Sequence, residues 1–376
     1  RRRMRRAAAF ALPALLLAGC AAASQAPAQT DALTIENRYP LEYAKQFTVD
    51  VCAGGYDLIT IDGTRYLVVP EGAAAPANLD ADITVLQQPI QNIYLVSSSA
   101  MDPIISIGGL GAVALSGTQT ENWYLDAART AMEQGQIVYA GKYSAPDYET
   151  ILAADCGLAI ENTMIYHTPE VKEQLEKFGV PVLVERSSYE SGPLARMEWV
   201  KLYGILLGKT NEAERVFADA EQRIAPLADE APTGKTVAFF SITSNNLATV
   251  RKGGDYVAEM IKMAGGSYAF SDLTDSGNNL ATVNISLEDF YAGAKDADVL
   301  IYNSTIEGEL RSIDELIAKC PMLADFKAVQ SGNVWCTAQS LFQQSMELPD
   351  LILDMNKVFT EGTPNANELK FLTKLQ

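Results

Sequence analysis

Hydrophobic and polar residues alternate in two short runs near the N-terminus of this 376-residue chain. The runs are 47–51 and 56–61, and a third apolar run, 65–69, follows the sequence Asp62-Gly63-Thr64. A period of two is typical of strands, and Asp-Gly between two such runs is typical of a tight hairpin turn. The pattern therefore predicts a small β-hairpin extension at the N-terminus.

From about Asn92 onward, short apolar runs alternate with segments of helical character. This alternation favours layered α/β units with mostly parallel sheets. Gly179 follows the third predicted helix at the position where a helix C-terminus favours glycine. The predicted elements are strand 93–97, helix 101–107, helix 146–153, strand 157–160, helix 169–178 and strand 180–184.

Two helices in series are predicted next, the first over 193–207 and the second beginning at an N-cap, Thr210. In the second, Ala213, Phe217 and Ile224 belong to one apolar stripe with helical spacing, which is typical of a helix lying on a core. A second α/β unit opens at Lys235. It includes a strand over 236–242, a helix over 255–264 and a strand over 299–302. Segments 146–158 and 286–300 follow the same order of cap, short helix and apolar strand, which suggests two similar lobes.

Charge and targeting signals restrict the function. The net charge of −18 disfavours nucleic-acid binding, because such a surface repels phosphate. Five arginines among the first six residues precede an uncharged run over 7–17, so residues 1–19 are predicted to be an export signal. The run is too short for a membrane-spanning helix. Leu17-Ala18-Gly19-Cys20 resembles the lipobox of bacterial lipoproteins, which implies acylation of Cys20. The alternative is an ordinary signal with a chance cysteine.

Several kinds of site lack support in the sequence. His167 is the only histidine, which excludes zinc motifs with two histidines. No CxxC pair occurs, so no metal site is expected, and Cys320 and Cys336 are left as either a disulfide or two buried thiols. The GxGxxA pattern over 109–114 follows a predicted helix rather than a strand, which disfavours a dinucleotide site.

The order and spacing of several segments resemble a family of solute-binding proteins of ABC importers, the one that binds iron–siderophore complexes, haem and cobalamin. The similarity extends over roughly residues 91–359. The segments that carry it are Ser97-Ser98-Ser99, the Pro-Asp-Tyr-Glu run within 145–152, the Gly-Val-Pro within 175–181, the helix and paired glycines of 255–266, and Gly332-Asn333-Val334-Trp335.

The resemblance implies an α/β fold with two Rossmann-like lobes joined by a single long rigid helix, besides the hairpin extension. It also implies a non-enzymatic, extracytoplasmic receptor, anchored to the cell membrane by its lipid and monomeric, with an ABC permease and its ATPase as partners. Glu170 and Glu259 match the acids, one in each lobe, that dock on the permease in this family. The expected units are 1–19 signal, 20–40 tether, 41–208 N-terminal lobe with the extension, 209–230 connecting helix and 231–376 C-terminal lobe.

Ligand contacts are expected from loops at the carboxyl ends of strands, where they face the cleft. Arg251 would supply positive charge for a catecholate or carboxylate, and Tyr143 and Phe342 would supply stacking area. His167 is an alternative ligand contact or haem ligand, or else a solvated loop residue. The loops expected to face the cleft are 98–99, 143–144, 166–167 and Ser187-Ser188-Tyr189 in the first lobe, and 243–246, 303–304 and 339–344 in the second. The candidate contact residues are Ser98, Ser99, Tyr143, Tyr166, His167, Arg251, Asn303 and Phe342.

The expected cargo is a ferric siderophore or haem, with cobalamin as the alternative, and no cofactor is predicted. A hydrolase anchored at the surface is the hypothesis from another class. It requires a nucleophile or a carboxylate pair in the cleft. A sensor or scaffold without transport is a third hypothesis.

Overall fold

The computed structural model describes residues 32–274 and 281–376. These residues form three large sheets and one small hairpin. The predicted signal, Cys20 and the first part of the predicted tether lie outside the described residues. The predicted tether over 20–40 overlaps Ile35–Arg38, which is a strand paired with the next one, so regular structure begins earlier than expected.

The N-terminal sheet, here called the extension sheet, has five strands rather than the predicted hairpin. Its strands pair in chain order, all antiparallel except the last pair. Asp62 and Gly63 have φ values of 48° and 79°, as a type I′ hairpin turn requires. The strands are β1 (Ile35–Arg38), β2 (Phe47–Cys52), β3 (Tyr56–Ile61), β4 (Thr64–Val69) and β5 (Ile83–Gln87).

The first lobe contains an all-parallel sheet in the order β12-β11-β6-β7-β8. The predicted strands and helices of this region are confirmed, with ends shifted by a few residues. The strands are β6 (Ile93–Leu95), β7 (Val113–Ser116), β8 (Val138–Tyr139), β9 (Gly141–Lys142), β10 (Ala145–Pro146), β11 (Ala159–Glu161) and β12 (Val182–Val184). The helices are α1 (Met101–Ser106), α2 (Asp126–Glu133), α3 (Tyr148–Ala153) and α4 (Pro169–Lys177).

Three helices lead from the first lobe to the second: α5 (Pro193–Met197), α6 (Val200–Leu207) and α7 (Thr210–Ile224). The predicted continuous helix over 193–207 is wrong, because the chain turns at 198–199. The connecting helix predicted over 209–230 is α7 followed by a 3-10 turn over 225–229. Its predicted N-cap is also wrong: Lys209 occupies that position, without a side-chain capping bond.

The second lobe has a mixed sheet in the order β16-β14-β13-β17-β18-β19, with β15 beside the start of β13. Strands β13, β15, β17 and β18 run parallel, whereas β14, β16 and β19 are antiparallel to their neighbours. The strands are β13 (Thr236–Ile242), β14 (Ala248–Arg251), β15 (Ser267–Tyr268), β16 (Thr282–Ile285), β17 (Val299–Tyr302), β18 (Val334–Thr337) and β19 (Leu372–Lys374). The helices are α8 (Tyr256–Met263), α9 (Leu287–Ala294), α10 (Ser304–Glu307), α11 (Ile313–Lys319), α12 (Lys327–Gln330) and α13 (Leu348–Glu361).

One hydrophobic cluster connects the extension sheet, the first lobe and the second lobe. The predicted apolar stripe of α7 lies in it, since Ala213, Phe217 and Ile224 are buried. Helix α13 contributes Leu351 and Met355 from the second lobe to the same cluster. The two lobes and the extension therefore share this cluster, and each of them also has a smaller cluster of its own.

Candidate functional site

A cavity of about 620 Å³ lies between the lobes and is called the interlobe cavity below. Its volume is within the range of small-molecule sites, roughly 300–1,000 Å³. Both lobes and the extension sheet supply its walls. The residues that matter most here are Thr163, Arg186 and Tyr189 from the first lobe, Lys252 and Asp255 from the second, and Gln46 from the extension.

The first-lobe wall follows from strand order. Thr163 comes just after β11, and Arg186 comes just after β12. These two strands are parallel neighbours, so their carboxyl ends meet at the same edge of the sheet. The Thr163 Oγ1 and the Tyr189 hydroxyl are 3.0 Å apart, within hydrogen-bond distance.

Arg186 is the best-defined cation of this wall. Its guanidinium carbon lies 4.5 Å from the centroid of the Tyr189 ring. Its Nε donates to Gln46 Oε1 over 3.3 Å, and its Nη1 donates to Asp62 Oδ2 over 3.1 Å. A guanidinium that is stacked on a ring and held at two nitrogens is oriented for planar recognition of anionic oxygens.

The two acids of the interlobe cavity are already engaged by protein groups. Glu190 accepts from the Trp199 indole over 2.9 Å and from the backbone N–H groups of Lys45 and Gln46. Burial raises the pKa of Glu190. Asp255 accepts from Arg251 and from the N–H of Val257. Both carboxylates are therefore partly compensated by their donors within the wall, although the chain as a whole is strongly negative.

Arg251, the predicted ligand cation, is buried beside this cavity rather than in its lining. Its Nε donates to Asp255 Oδ2 over 2.7 Å. Burial lowers the pKa of Arg251, but the Asp255 carboxylate outweighs burial, so the pKa lies above its usual value. Predicted Phe342 is half-buried, with its ring 5.2 Å from the Arg251 guanidinium carbon. These two residues therefore meet each other at the lobe interface.

The predicted serine loop contacts both lobes. Ser99 Oγ donates to Glu185 Oε2 over 3.1 Å, and Ser345 of the second lobe donates to the Ser99 carbonyl over 3.0 Å. Ser98 lies beside it in a half-buried 3-10 turn. Three residues after Ser99, in the first turn of α1, Asp102 accepts from the N–H of Met346 over 2.8 Å. This part of the cleft edge is closed by direct contact between the lobes.

The remaining cleft candidates are dispersed. Asn303 caps α10, since its Oδ1 accepts from the Thr305 N–H over 3.1 Å. Tyr143 lies in the β9–β10 hairpin against the first-lobe core. Tyr166 is 49% exposed and His167 is also exposed, both in the 3-10 turn after β11. Tyr166 lies in the same 3-10 turn as Thr163, but none of the eight candidates is among the described residues that line the interlobe cavity.

The candidate docking acids lie on helices of different lobes. Glu170 is exposed in the first turn of α4. Glu259 on α8 is 42% exposed and lies 3.7 Å from Lys262. It also lines a second cavity of about 560 Å³, called the side groove below, between α8 and the segment after β1.

Arg186, Thr163 and Lys252 line the interlobe cavity and are missing from the sequence-based candidates. A signal for the first was present, because Arg186 immediately precedes a Ser187-Ser188-Tyr189 loop at the end of a predicted strand. Lys252 is the neighbour of the predicted Arg251. The sequence predicts where each strand ends, but it does not show which of the residues that follow the strand face the other lobe.

Glu161 is a buried acid two residues before Thr163, at the carboxyl end of β11. It is the last residue of β11 and has no exposed surface. Among the described residues, neither of its carboxylate oxygens has a hydrogen-bond partner. Burial raises the pKa of Glu161 to about 8, because the apolar surroundings favour the neutral acid over the carboxylate.

Metal and disulfide chemistry find no support in the described part of the chain. Residues 32–274 and 281–376 contain no cluster of three or more histidine, cysteine or carboxylate side chains suited to a metal ion. Cys320 and Cys336 are both free and buried, which favours the thiol alternative over the disulfide. Across the same ranges, no helix has the length and apolar character needed to cross a bilayer.

Comparison with known proteins gives one family and several similar folds. Residues 99–340 match the family described as periplasmic binding protein. A relative from Methanocaldococcus jannaschii, named an uncharacterized lipoprotein, is 24% identical over 333 residues, covering 84% of this chain and 77% of that protein.

Solved structures with the same fold include proteins named for haem and iron. A periplasmic haem-binding protein from Pseudomonas aeruginosa has a TM-score of 0.59 and 19% identity, covering 76% of this chain and 99% of that chain. An Fe3+-hydroxamate transport protein from Saccharomonospora viridis has a TM-score of 0.57 and 19% identity, covering 72% of this chain and 94% of that chain. A periplasmic binding protein from Veillonella parvula has a TM-score of 0.60 and 15% identity, covering 82% and 98%. At these identities the likeness establishes the fold alone.

Proposed function

The chain belongs to the periplasmic binding protein family, and we propose that it captures an iron chelate outside the cytoplasm for an ABC importer. The family is one of binding proteins, not of enzymes, which removes the hydrolase hypothesis. The observation that carries the proposal is the interlobe cavity, where Arg186 lies on Tyr189 opposite Lys252. The cargo in this proposal is a ferric siderophore or haem.

The chemistry of the cavity favours an anionic chelate with planar groups. Arg186 presents a flat cation whose orientation is fixed by Gln46 and Asp62. Tyr189 adds an aromatic face beside it, and Thr163 adds a hydroxyl. Siderophore catecholates and haem combine charged oxygens with flat carbon frames. Arg186 can contact the oxygens, and the Tyr189 ring can contact the flat frame. Similar folds named for haem and for Fe3+-hydroxamate add support.

The route of delivery is part of the proposal. Acylation of Cys20 would anchor the receptor at the membrane, and the lipoprotein relative supports this. Anchoring raises the effective concentration of receptor near a permease. Glu170 and Glu259 would then pair with permease arginines, one from each lobe. A monomer suffices, because both cavity walls come from one chain.

Ligand titration tests the cargo. Purified protein would be titrated with a ferric tricatecholate, a ferric trihydroxamate, haem and cyanocobalamin, while tryptophan fluorescence and visible absorbance are followed. We expect an iron complex or haem to bind with a Kd of micromolar or below, and Arg186→Gln to weaken it at least about 10-fold. Arg38→Gln, which removes an exposed arginine of the extension sheet, is the matched control.

Two results would contradict the proposal: no binding of any of the four ligands, or binding of cyanocobalamin alone. The docking acids need a separate measurement, uptake of the bound ligand by cells. Glu170→Arg and Glu259→Arg should leave the Kd unchanged and reduce uptake. Glu149→Arg, an exposed acid on α3, should change neither.

A further inference from the structure

The extension sheet precedes the family match, which begins at residue 99. It is nevertheless attached to the helices that join the lobes by an unusual set of contacts. The buried Glu198 accepts the backbone N–H groups of Glu42, Tyr43 and Ala44 at 2.8–2.9 Å. The buried Glu190 accepts those of Lys45 and Gln46 at 2.9–3.1 Å.

Two carboxylates therefore bind five consecutive backbone N–H groups of one segment. Residues 42–46 are called the clamped segment below. Hydrogen bonds from neutral donors to buried carboxylates are among the stronger ones in proteins, so this segment is fixed in place. Tyr43 strengthens the attachment, because its hydroxyl donates to Glu221 of α7 over 2.9 Å.

The clamped segment lines both cavities between the lobes. Gln46 lines the interlobe cavity, whereas Glu42, Tyr43 and Lys45 line the side groove. Gly254 and Asp255 of the second lobe line both cavities as well. The two cavities are thus neighbours, and the clamped segment runs along one side of them opposite the second lobe.

The extension sheet also fixes the cation of the proposed site. Arg186 donates from Nε to Gln46 and from Nη1 to Asp62, so both acceptors come from the extension. Asp62 stands at the β3–β4 turn with a positive φ of 48°, and this turn contacts the first lobe through the hydrogen bond with Arg186. The side chain of Arg186 is only 14% exposed, so its orientation depends on these partners.

We propose that the extension is a third wall of the ligand cleft, and that Gln46 is a positioning residue that selects chelates carrying anionic oxygens through Arg186. This inference rests on the proposed function. Gln46 fixes the plane of the guanidinium against Tyr189, and the clamped segment limits how far a ligand can spread toward the side groove. A ligand without anionic groups gains nothing from the orientation of Arg186. Its binding depends only on the space that the clamped segment leaves.

Two substitutions of Gln46 separate these effects. Gln46→Leu removes the acceptor of Arg186 but keeps the bulk of the side chain, whereas Gln46→Ala removes both. Gln87→Leu is the matched control, because Gln87 bonds only to backbone carbonyls of its own sheet region. None of these variants changes the net charge, so long-range attraction of the ligand stays constant.

The probes are a ferric tricatecholate, which is anionic, and a neutral ferric trihydroxamate. Gln46→Leu should raise the Kd for the tricatecholate about 3- to 10-fold and leave that for the trihydroxamate within about 2-fold. Gln46→Ala should weaken binding of the tricatecholate as much, and it should strengthen or leave unchanged binding of the neutral trihydroxamate, which loses no charged contact and gains space. In the Arg186→Gln background, Gln46→Leu should have no further effect on tricatecholate binding.

The outcomes are distinguishable. If the wild-type chain binds neither probe and no haem, the proposed function fails. If it binds the tricatecholate and Gln46→Leu leaves the Kd unchanged, or acts equally in the Arg186→Gln background, the positioning role is wrong. Binding of the neutral complex alone would also overturn the assignment of anionic chelates to this wall.

Discussion

The guanidinium of Arg196 on α5 lies over the ring of Tyr256 on α8, with 4.7 Å between the guanidinium carbon and the ring centroid. Arg251 lies over the same ring at 5.3 Å. Within the described residues, Nε and Nη1 of Arg196 have no hydrogen-bond partner. The connecting helices and the second lobe are therefore joined here by an aromatic ring that contacts two buried cations.

Removing that ring should destabilise the chain. Tyr256→Leu should lower the free energy of unfolding by about 2–4 kcal/mol, because both guanidinium groups lose an aromatic face. Tyr256→Phe keeps the face and should lower it by about 1 kcal/mol or less. Urea denaturation followed by tryptophan fluorescence measures both. Equal losses in the two variants would mean that the hydroxyl, not the ring face, is the important contact.

Arg251 and Arg186 should separate stability from ligand binding. Arg251→Met leaves the carboxylate of Asp255, whose side chain is 2% exposed, without its ion-pair partner, and should lower stability by about 3–5 kcal/mol. Arg186 pairs with an acid that is 56% exposed, so Arg186→Gln should lower stability by about 1 kcal/mol or less. Chelate affinity should change in the opposite pattern, with loss only in Arg186→Gln.

The double variant Arg251→Met with Asp255→Asn provides a control for poor folding. Removing both charges should recover part of the stability lost in the single variant. Stability comes from thermal denaturation and affinity from the chelate titration. A folded Arg251 variant that loses chelate affinity, beside an Arg186→Gln protein that retains it, would contradict this assignment.

Glu161 should make stability depend on pH. Burial raises the pKa of Glu161 from 4.5 to about 8. Below pH 4.5 the acid is neutral in both the folded and the unfolded state. As the pH rises from 4.5 to 8, the unfolded state loses a proton that the folded state retains, so the wild-type chain loses stability. Glu161→Gln removes this titration. Its free energy of unfolding, relative to that of the wild type, should therefore rise by roughly 4–5 kcal/mol at most between pH 4.5 and 8.

The measurement is the difference in unfolding free energy between Glu161→Gln and the wild type, from urea titrations at pH 4.5, 6 and 8. Glu149→Gln, at an exposed position on α3, should show a difference close to zero at each pH. A constant difference for Glu161→Gln across the three pH values would rule out a buried neutral acid at this position.

Glu198 should hold the clamped segment. Glu198→Gln leaves one oxygen to accept from three N–H groups. It also removes the 3.1 Å ion pair of Lys201, which is 7% exposed and keeps only a 3.4 Å pair with Glu214. We expect a loss of about 3–5 kcal/mol and faster amide hydrogen exchange over 42–44. Exchange over β13 should be unaffected at conditions where the chain stays folded. Unchanged protection of 42–44 would show that these contacts do not hold the segment.

Local signals in the sequence predicted much of the fold. The strand over Tyr56–Ile61, the Asp-Gly turn and the stripe of α7 were all correct, because each depends on residues near one another in the chain. Strand β1 was missed because all four of its residues are exposed, so it carries no alternation. The break between α5 and α6 was missed because Glu198, which lies at the break, accepts hydrogen bonds from the N–H groups of residues 42–44, more than 150 positions earlier in the chain.

The site was harder to predict for the same reason. A strand end indicates where a ligand can bind, but it does not say which arginine is paired with a buried acid and which with an exposed one. Arg251 is paired within its own turn by Asp255, four residues on, whereas Arg186 is held by the extension sheet, more than 120 positions earlier. That second relationship exists only after the extension has folded onto the first lobe.

The hydrophobic cluster that connects the extension sheet, both lobes, α7 and α13 affects how cooperatively the molecule unfolds. Two lobes with separate interiors could melt one after the other, as independent domains do. Each lobe here also has a smaller cluster of its own. Unfolding either lobe would nevertheless expose apolar surface of the other within the shared cluster, because α7 is buried there against both. The chain should therefore lose its structure as one cooperative unit on heating, and any gain in stability at the cleft should be felt by the whole protein.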